Sequence, residues 1–339
     1  MSGGRTRVLL AVAIVAAGAA ATLALSGGEA NGGSAHQAAS KRWLPLASSP
    51  LSRTEVGAAR LGRFIYVVGG FAPPLNTTNQ VARYDIDSNS WDLASPLPVG
   101  VNHPGIVAHR GRIYVHGGYQ SNGAGSETGA LQRFNPATGD WDILAFSPTR
   151  RAAGTLAAVR GRLYSIGGAR NGVPLNSVEV YNIARNRWRR GRGMKVAREH
   201  IASGALGRRI FVLGGRVGGH NLAAVERLHT RSGRWVRLPK LRVPRSGFQA
   251  IALRGRVIAV GGEELAEGND TIAPVEIYNA RRKRWGRLAP MLTPRHGLGV
   301  VLRGRRIFAL EGGPQPGASF SGALEFLDVP KRRLAPRRR

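Results

Sequence analysis

The chain alternates between short apolar runs and turn-forming residues, and this pattern recurs about every fifty residues. A typical run is "LYSIGG" at residues 163–168, and the same repeat continues with "SVEVY" at residues 177–181. Short runs that are rich in β-branched residues and bounded by turn residues predict strands rather than helices. The polar and apolar alternation of "SVEVY" is typical of a half-buried strand.

A glycine pair ends an apolar run six times, which divides the chain into six repeats. The pairs are Gly69–Gly70, Gly117–Gly118, Gly167–Gly168, Gly214–Gly215, Gly261–Gly262 and Gly312–Gly313. The steps between them are 48, 50, 47, 47 and 51 residues. Each repeat has the same internal order and contains four predicted strands, which we call a, b, c and d in chain order.

A second marker is an aromatic residue that precedes a Trp by seven positions. The pairs are Tyr84–Trp91, Phe134–Trp141, Tyr181–Trp188 and Tyr278–Trp285, with Leu228 before Trp235. Two residues before each Trp stand Asn89, Gly139, Asn186, Gly233 and Lys283. Gly and Asn adopt a left-handed backbone at low cost, so the marker predicts a c–d hairpin, with a different turn at Lys283. We expect the aromatic residues to pack between neighbouring sheets.

The two ends of the repeat array predict how the ring closes. The sixth repeat has no Trp seven residues after Phe326, where Arg333 stands, whereas a surplus Trp43 precedes the first repeat. We therefore predict that Trp43 begins strand d of the sixth unit and that this strand pairs with the last strand c. Six four-stranded units predict an all-β, six-bladed β-propeller over residues 41–329, closed without an open sheet edge.

The repeats resemble kelch repeats in their doubled glycine, their Tyr–Trp spacing and the Arg before strand a. "LNSVEVYNIARNRW" and "REHIASGALGRRIFVLGG" carry the resemblance most closely, and it extends over residues 41–329. It implies a kelch β-propeller. In kelch proteins that bind acidic peptides, Arg at such positions often contacts the ligand.

That Arg recurs in matched register before strand a, as Arg53, Arg151, Arg198, Arg245 and Arg295, with Val101 and Asn102 in the second repeat. His103, His200 and His296 lie one or two residues away. We expect these residues, with Asn102, to form a ligand-binding rim for carboxylate or phosphate groups. The alternative is a structural role, in which the guanidinium groups bond to neighbouring carbonyls.

The b–c loops vary most between repeats, and variable loops on a rigid scaffold are common binding sites. The fifth of these loops carries an acidic cluster that includes Glu263 and Glu264, which are further candidates for ligand contacts. No metal site, cofactor or catalytic residue is predicted, because no ligand spacing or catalytic motif occurs.

The composition shows a high net positive charge and a lack of cysteine. The 50 Lys and Arg residues against 19 Asp and Glu give a net charge of +31, which favours anionic partners such as glycans or lipid head groups; no nucleic-acid partner is predicted. Arginines dispersed over the surface are the alternative. The absence of Cys excludes disulfides, a lipoprotein anchor and the Tyr–Cys copper centre of galactose-oxidase-type enzymes.

Residues 1–25 have the basic start and apolar run of a signal peptide or an uncleaved membrane anchor, residues 26–40 suit a flexible linker, and residues 330–339 form a basic tail. An extracytoplasmic protein, secreted or membrane-anchored, is expected.

The predicted function is a binding scaffold for an anionic ligand or a protein partner through the variable-loop face. The alternative is a sugar-acid mutarotase, because exported six-bladed kelch proteins include sialic-acid mutarotases.

Overall fold

The computed structural model describes residues 42–266 and 268–334. The predicted signal or anchor segment, the linker and the last five residues of the chain lie outside the described residues. Within the described residues, no helix has the length and apolar character needed to cross a membrane.

Six antiparallel sheets of four strands each form the six blades of a β-propeller, as predicted. Blade 1 contains Gly57–Leu61, Phe64–Val68, Val81–Asp85 and Ser90–Ala94. Blade 2 contains Gly105–His109, Arg112–His116, Leu131–Asn135 and Asp140–Leu144. Blade 3 contains Thr155–Val159, Arg162–Ile166, Val178–Asn182 and Arg187–Arg190. Blade 4 contains Ala202–Leu206, Arg209–Leu213, Val225–His229 and Arg234–Leu238. Blade 5 contains Gln249–Leu253, Arg256–Val260, Glu276–Asn279 and Arg284–Arg287. Blade 6 contains Gly299–Arg303, Arg306–Leu310 and Leu324–Asp328, with Leu44–Pro45 as its strand d.

The blades are ordered around the ring as they are in the sequence, because the strand a of each blade contacts the strand a of the next, including blade 6 with blade 1. The last four residues of every strand b are buried, which explains why these runs are the most apolar of each repeat. Strand d is the most exposed strand in blades 1 to 3. The hydrophobic core therefore lies between blades, and the outer strands carry most of the polar surface.

Ring closure by the N-terminal strand is confirmed. Leu44 pairs with Phe326, so Trp43 lies opposite Leu327. Leu327 holds the place that Tyr181 holds opposite Trp188 in blade 3. The sequence prediction was wrong by one residue in giving that place to Phe326, but the pairing of strands was right.

The six indoles form a repeating set of bonds between blades. Each indole nitrogen donates to the carbonyl four residues after the Trp of the preceding blade, at 2.6–3.0 Å. The donor–acceptor pairs are Trp43–Ala289, Trp91–Ala47, Trp141–Ser95, Trp188–Ala145, Trp235–Arg192 and Trp285–Pro239. Because Trp43 completes this set, closure uses the same bond as every other blade interface.

The c–d hairpins have the left-handed residue that the sequence predicts. Asn89, Gly139, Asn186 and Gly233 have φ between 48° and 78°. The expected exception at Lys283 was wrong, because its φ of 52° places it in the same conformation.

The sixth glycine marker is displaced by one residue. The nitrogen of Glu311 bonds to the carbonyl of Ala323, as the nitrogen of Gly214 does to that of Ala224 in blade 4. Glu311 therefore replaces the first glycine of the pair and adopts its left-handed conformation, with φ of 54°. Gly312 takes the second place, so the last step between markers, from residue 261 to residue 311, is 50 residues rather than 51.

Part of the predicted basic tail packs on the propeller. Lys331–Leu334 form a short α-helix after blade 6, which we call α1. Leu334 is buried in the same hydrophobic cluster as Trp43 and Leu327. The start of the tail is thus fixed to the fold.

Candidate functional site

The five rim arginines lie inside the protein, at most 2 % exposed. Each extends along the start of its own blade. Arg198, for example, donates from Nη1 to the carbonyls of Gly214 at 2.7 Å and Ala224 at 2.8 Å, and from Nη2 to Glu226 at 3.3 Å. No guanidinium group of these five is therefore exposed for an external anion.

Every one of these arginines has a buried carboxylate partner. The pairs are Arg53–Glu311, Arg151–Glu179, Arg198–Glu226, Arg245–Glu276 and Arg295–Glu325, at N–O distances of 2.8, 3.1, 3.3, 3.2 and 3.8 Å. Burial lowers the pKa of Arg198 and Arg245 to about 10, so both stay charged at neutral pH.

Blades 1 and 2 show that a buried carboxylate is present only where an arginine needs a partner. In blade 2 Val101 replaces the arginine and Gln132 replaces the glutamate; the Gln132 amide bonds to the backbone of Val99 instead. In blade 1 Ala82 occupies the glutamate position, and Glu311 from blade 6 supplies the carboxylate for Arg53. This matching favours the structural role over the ligand role for all five arginines.

The two residues after each arginine position line the axis of the propeller. The second of the two has a left-handed backbone in every blade, with φ between 50° and 61°. In blade order these second residues are Glu55, His103, Ala153, His200, Gly247 and Gly297. Backbone hydrogen bonds of 2.7–3.3 Å join these segments into a closed ring. The ring lies on the face that carries the b–c loops, so it forms the floor of a central depression, which we call the axial recess.

Two histidines bracket one carboxylate on this floor. His103 Nε2 lies 3.2 Å from one oxygen of Glu55, and His296 Nδ1 lies 3.0 Å from the other. Asn102 accepts from His103 Nδ1 at 2.6 Å, and its own amide group donates to Thr77 at 2.7 Å. The predicted residues Asn102, His103 and His296 thus meet at Glu55, which the sequence analysis did not single out.

A second group of side chains surrounds Arg216. Its guanidinium donates to Glu199 at 2.7 Å and to Glu263 at 3.1 Å, and lies 3.1 Å from His200 Nε2. His200 Nδ1 lies 2.9 Å from Glu199, so this imidazole is held from both sides. The predicted Glu264 lies farther out and accepts from Asn221 at 3.0 Å.

Sequence analysis missed Glu55, Glu199 and Arg216, although a positional signal for them exists. In each blade, the first residue after the arginine position pairs with the residue seventeen positions later, at the start of the b–c loop. These first residues are 54, 102, 152, 199, 246 and 296. Glu199 pairs with Arg216 by this rule, and Ser246 pairs with Glu263. Alignment of the six repeats on this pairing would have placed these charges at the axis.

The environment of the recess keeps its carboxylates ionised. Burial alone would raise the pKa of Glu55, but the facing His103 and His296 hold it far below its usual value. Burial likewise opposes ionisation of Glu199, yet His200 and Arg216 lower its pKa to about 2. Burial lowers the pKa of His103 to about 3, against the opposing effect of the facing Glu55 carboxylate.

Two groups of side chains in the recess have the chemistry of metal ligands. Glu55, His103 and His200 offer ligand atoms within 4.8 Å of one another, and so do Glu55, Glu263 and His296. Imidazole and carboxylate together suit zinc. The Arg216 guanidinium already supplies a positive charge beside His200 and Glu263, so the cluster is partly neutralised by the protein itself.

The opposite half of the axis is an open channel. A cavity of about 330 Å³ is lined by the strands a of all six blades, largely by alanine and aliphatic residues. Polar groups concentrate at the recess, and the channel wall offers few. The recess is therefore the part of the axis that is equipped for specific recognition.

Comparisons with known proteins agree with the repeat pattern. A family model described as the KLHDC2/KLHL20/DRC7 Kelch-repeats domain matches residues 37–194, and the Kelch motif model matches residues 197–242. Kelch-like protein terF of Aspergillus terreus is 31% identical over 129 residues, which are 35% of this chain and 28% of the relative. Kelch repeat and BTB domain-containing protein 1 of Camelpox virus is 25% identical over 160 residues, 47% of this chain and 28% of the relative.

A human relative, Kelch-like protein 38, is 30% identical over 154 residues, 43% of this chain and 26% of the relative. The chain thus spans about a quarter of the length of these curated relatives. The names of these relatives do not indicate a mutarotase, so they do not support that alternative.

Proposed function

Because this chain is a kelch-repeat β-propeller, we propose that it is an exported scaffold that binds a protein partner through the face formed by its b–c loops. The observation that carries the proposal is the axial recess, where a rigid floor of buried charges is surrounded by six loops of different sequence. Kelch-repeat propellers typically bind other proteins, which makes a protein the best-supported class of partner.

The loops around the recess suit protein recognition. In blades 3 and 4 they form short hairpins, Ala169–Arg170 with Val173–Pro174 and Arg216–Val217 with His220–Asn221. Their tips expose Val173 by 62 % and Val217 by 41 %. Neighbouring apolar tips beside a polar floor provide both contact area and specificity.

The charge of the recess determines which group of the partner it favours. Glu55, Glu199 and Glu263 contribute three carboxylates, against the guanidinium of Arg216 and the imidazole of His296. Burial opposes the charge of His296, but its hydrogen bond with Glu55 raises its pKa. A lysine or arginine side chain of the partner would therefore complement the floor better than a carboxylate would. For this face we therefore propose that the ligand is a basic segment of a protein, and not the anionic ligand that the sequence predicts.

Export is proposed from the sequence of residues 1–25, with its Arg5 and Arg7 before an apolar run from Val8 to Leu25. Cleavage of the segment would give a secreted protein, and retention would give a membrane-anchored one.

The binding proposal is tested with a peptide library that varies charge at a central position, measured by fluorescence polarisation on the purified full chain. We expect peptides with central Lys or Arg to bind, and the Glu55→Gln, Glu263→Gln double variant to weaken binding at least tenfold. Asp92→Asn, Asp142→Asn is the matched control, because it removes two carboxylates from exposed outer strands. Equal binding by both variants, or preference for acidic peptides, would refute the proposal.

A further inference from the structure

The net positive charge is concentrated on the face opposite the b–c loops. All six a–b turns lie on this face and carry arginine, namely Arg63, Arg110, Arg112, Arg160, Arg162, Arg208, Arg209, Arg254, Arg256, Arg303, Arg305 and Arg306. The c–d turns of blades 3 to 5 add Arg185, Arg187, Arg231, Arg234, Arg281, Arg282, Lys283 and Arg284. We call this surface the turn face. The arginines are thus not evenly dispersed over the propeller.

Carboxylates compensate this charge in blades 1, 2 and 6 of the turn face, and in blade 6 Asp328 pairs with Arg306 at 2.8 Å. Asp85 pairs with Arg63, and Asp87 pairs with Arg303. Both acidic residues belong to the c–d turn of blade 1, and blade 2 adds Asp140. The positive charge is therefore least balanced in blades 3 to 5 and at α1.

A recess of about 260 Å³ lies in the unbalanced part, between blade 5 and α1. Five arginines line it, together with Asn279 and an apolar floor that includes Ile277 and Trp285. The arginines are Arg256, Arg282, Arg284, Arg332 and Arg333. We call this cavity the arginine recess.

The five guanidinium groups have no acidic counterpart among the residues that the structure describes. No carboxylate lines the recess, and none of the five arginines forms an ion pair with a described residue. Burial lowers the pKa of Arg256, and repulsion from the charge of Arg282 lowers it further. An anion in the recess would relieve this repulsion, and guanidinium groups match the oxygens of phosphate well.

The backbone and the floor of the recess are also fixed in place. Leu334 is buried in the core and anchors α1, so the backbone of Arg332 and Arg333 is held in place. Trp285 is 8 % exposed and donates its indole proton to Pro239 at 2.8 Å. A preformed site loses less conformational entropy on binding than a mobile cluster does.

We propose that the arginine recess binds the phosphoryl group of an anionic phospholipid and that the turn face docks on the membrane surface around it. Charge complementarity supports this occupant, because a cationic surface with an arginine-lined recess fits a layer of anionic head groups. The path of the chain supports it too. Trp43 lies at the start of strand d, on the turn face, so the preceding linker and the apolar run from Val8 to Leu25 connect to the propeller on this side. This surface lies opposite the b–c loops, so the inference goes beyond the protein-binding function.

The test is calorimetric titration of the full chain, purified in a non-ionic detergent, with four soluble ligands. They are dihexanoyl-phosphatidylglycerol, dihexanoyl-phosphatidylcholine, inorganic phosphate and a short oligonucleotide. The recess variant is Arg256→Gln, Arg284→Gln. Its matched control is Arg162→Gln, Arg187→Gln, which removes the same two charges at the same strand positions in blade 3.

We expect the phosphatidylglycerol to bind and the zwitterionic lipid to bind at least tenfold more weakly. The recess variant should lose at least tenfold in affinity for phosphatidylglycerol, and the control less than twofold, with unchanged melting temperatures for both. Equal losses with the same salt dependence would show a diffuse coat of charge and overturn the proposed site. Phosphate binding as tight as that of the lipid would overturn the lipid assignment, and so would tighter binding of a short oligonucleotide at the same salt concentration.

Discussion

The pair Arg245–Glu276 allows a direct test of why an arginine precedes strand a. Both side chains are fully buried, and Arg245 Nη2 lies 3.2 Å from Glu276. Arg245 also donates to the carbonyl of Gly261 at 2.8 Å, while Glu276 accepts from the backbone nitrogens of Arg242 and Val243. Blade 2 provides natural substitutes, because it has Val101 and Gln132 at these two positions.

The perturbation is a double-mutant cycle of Arg245→Val and Glu276→Gln. Each single change leaves one buried charge without its partner, which costs about 3–5 kcal/mol. The double variant removes both charges and should lose only about 1–3 kcal/mol, for the hydrogen bonds of the missing guanidinium. The two changes should therefore couple by about 3 kcal/mol or more.

The assay is equilibrium unfolding in urea, supported by thermal melting. For a domain of this size each kcal/mol corresponds to about 2–4 °C, so each single variant should melt roughly 6–20 °C below the parent. A single variant within about 1 kcal/mol of the parent, or strictly additive losses, would refute the structural assignment. Lost peptide binding with unchanged stability would instead restore the ligand role expected from the sequence.

Three further predictions concern closure, acid stability and location. Trp43→Ala should destabilise the propeller by about 3–5 kcal/mol, because it removes a buried indole and its hydrogen bond to the carbonyl of Ala289. A melting temperature within about two degrees of the parent would contradict closure of the ring by this strand. The pKa of Glu199 is lowered to about 2, so its ionised form stabilises the folded protein above pH 4.5, and this stabilisation is lost as the pH falls through 2. Glu199→Gln should therefore flatten the acid limb of the curve of stability against pH, and an unchanged limb would refute this. Protease added to intact spheroplasts should digest the propeller, and protection until lysis would contradict export.

The sequence was sufficient to predict the fold because its markers reflect backbone requirements. Gly70 and Gly215 have φ of 92°, and an added Cβ at either would lie 2.6 Å or less from a backbone oxygen, so these positions exclude other residues. Trp43 could be assigned to the last blade because the other five repeats established what was missing there. Markers of this kind depend on local geometry and recur in every repeat.

The burial of the arginine side chains could not be predicted from the sequence of a single repeat. Arg198 and Arg282 are the same residue type, yet one is enclosed with Glu226 and the other is exposed beside other arginines. The difference depends on which residue faces each side chain across the sheet, which is a property of the pairing register. The axial recess was missed for the same reason, since Glu55 and His296 are 241 residues apart in the chain.

The bond that closes the ring also has a consequence for the synthesis of the protein. Leu44–Pro45 leaves the ribosome before any other strand, whereas its partner Leu324–Asp328 leaves after all the others. Until then the first strand has no partner and blade 6 does not exist, so the earlier blades can form only an open arc with exposed edges. The ring can therefore close only after Leu324–Asp328 has been synthesised, however early the first five blades begin to fold.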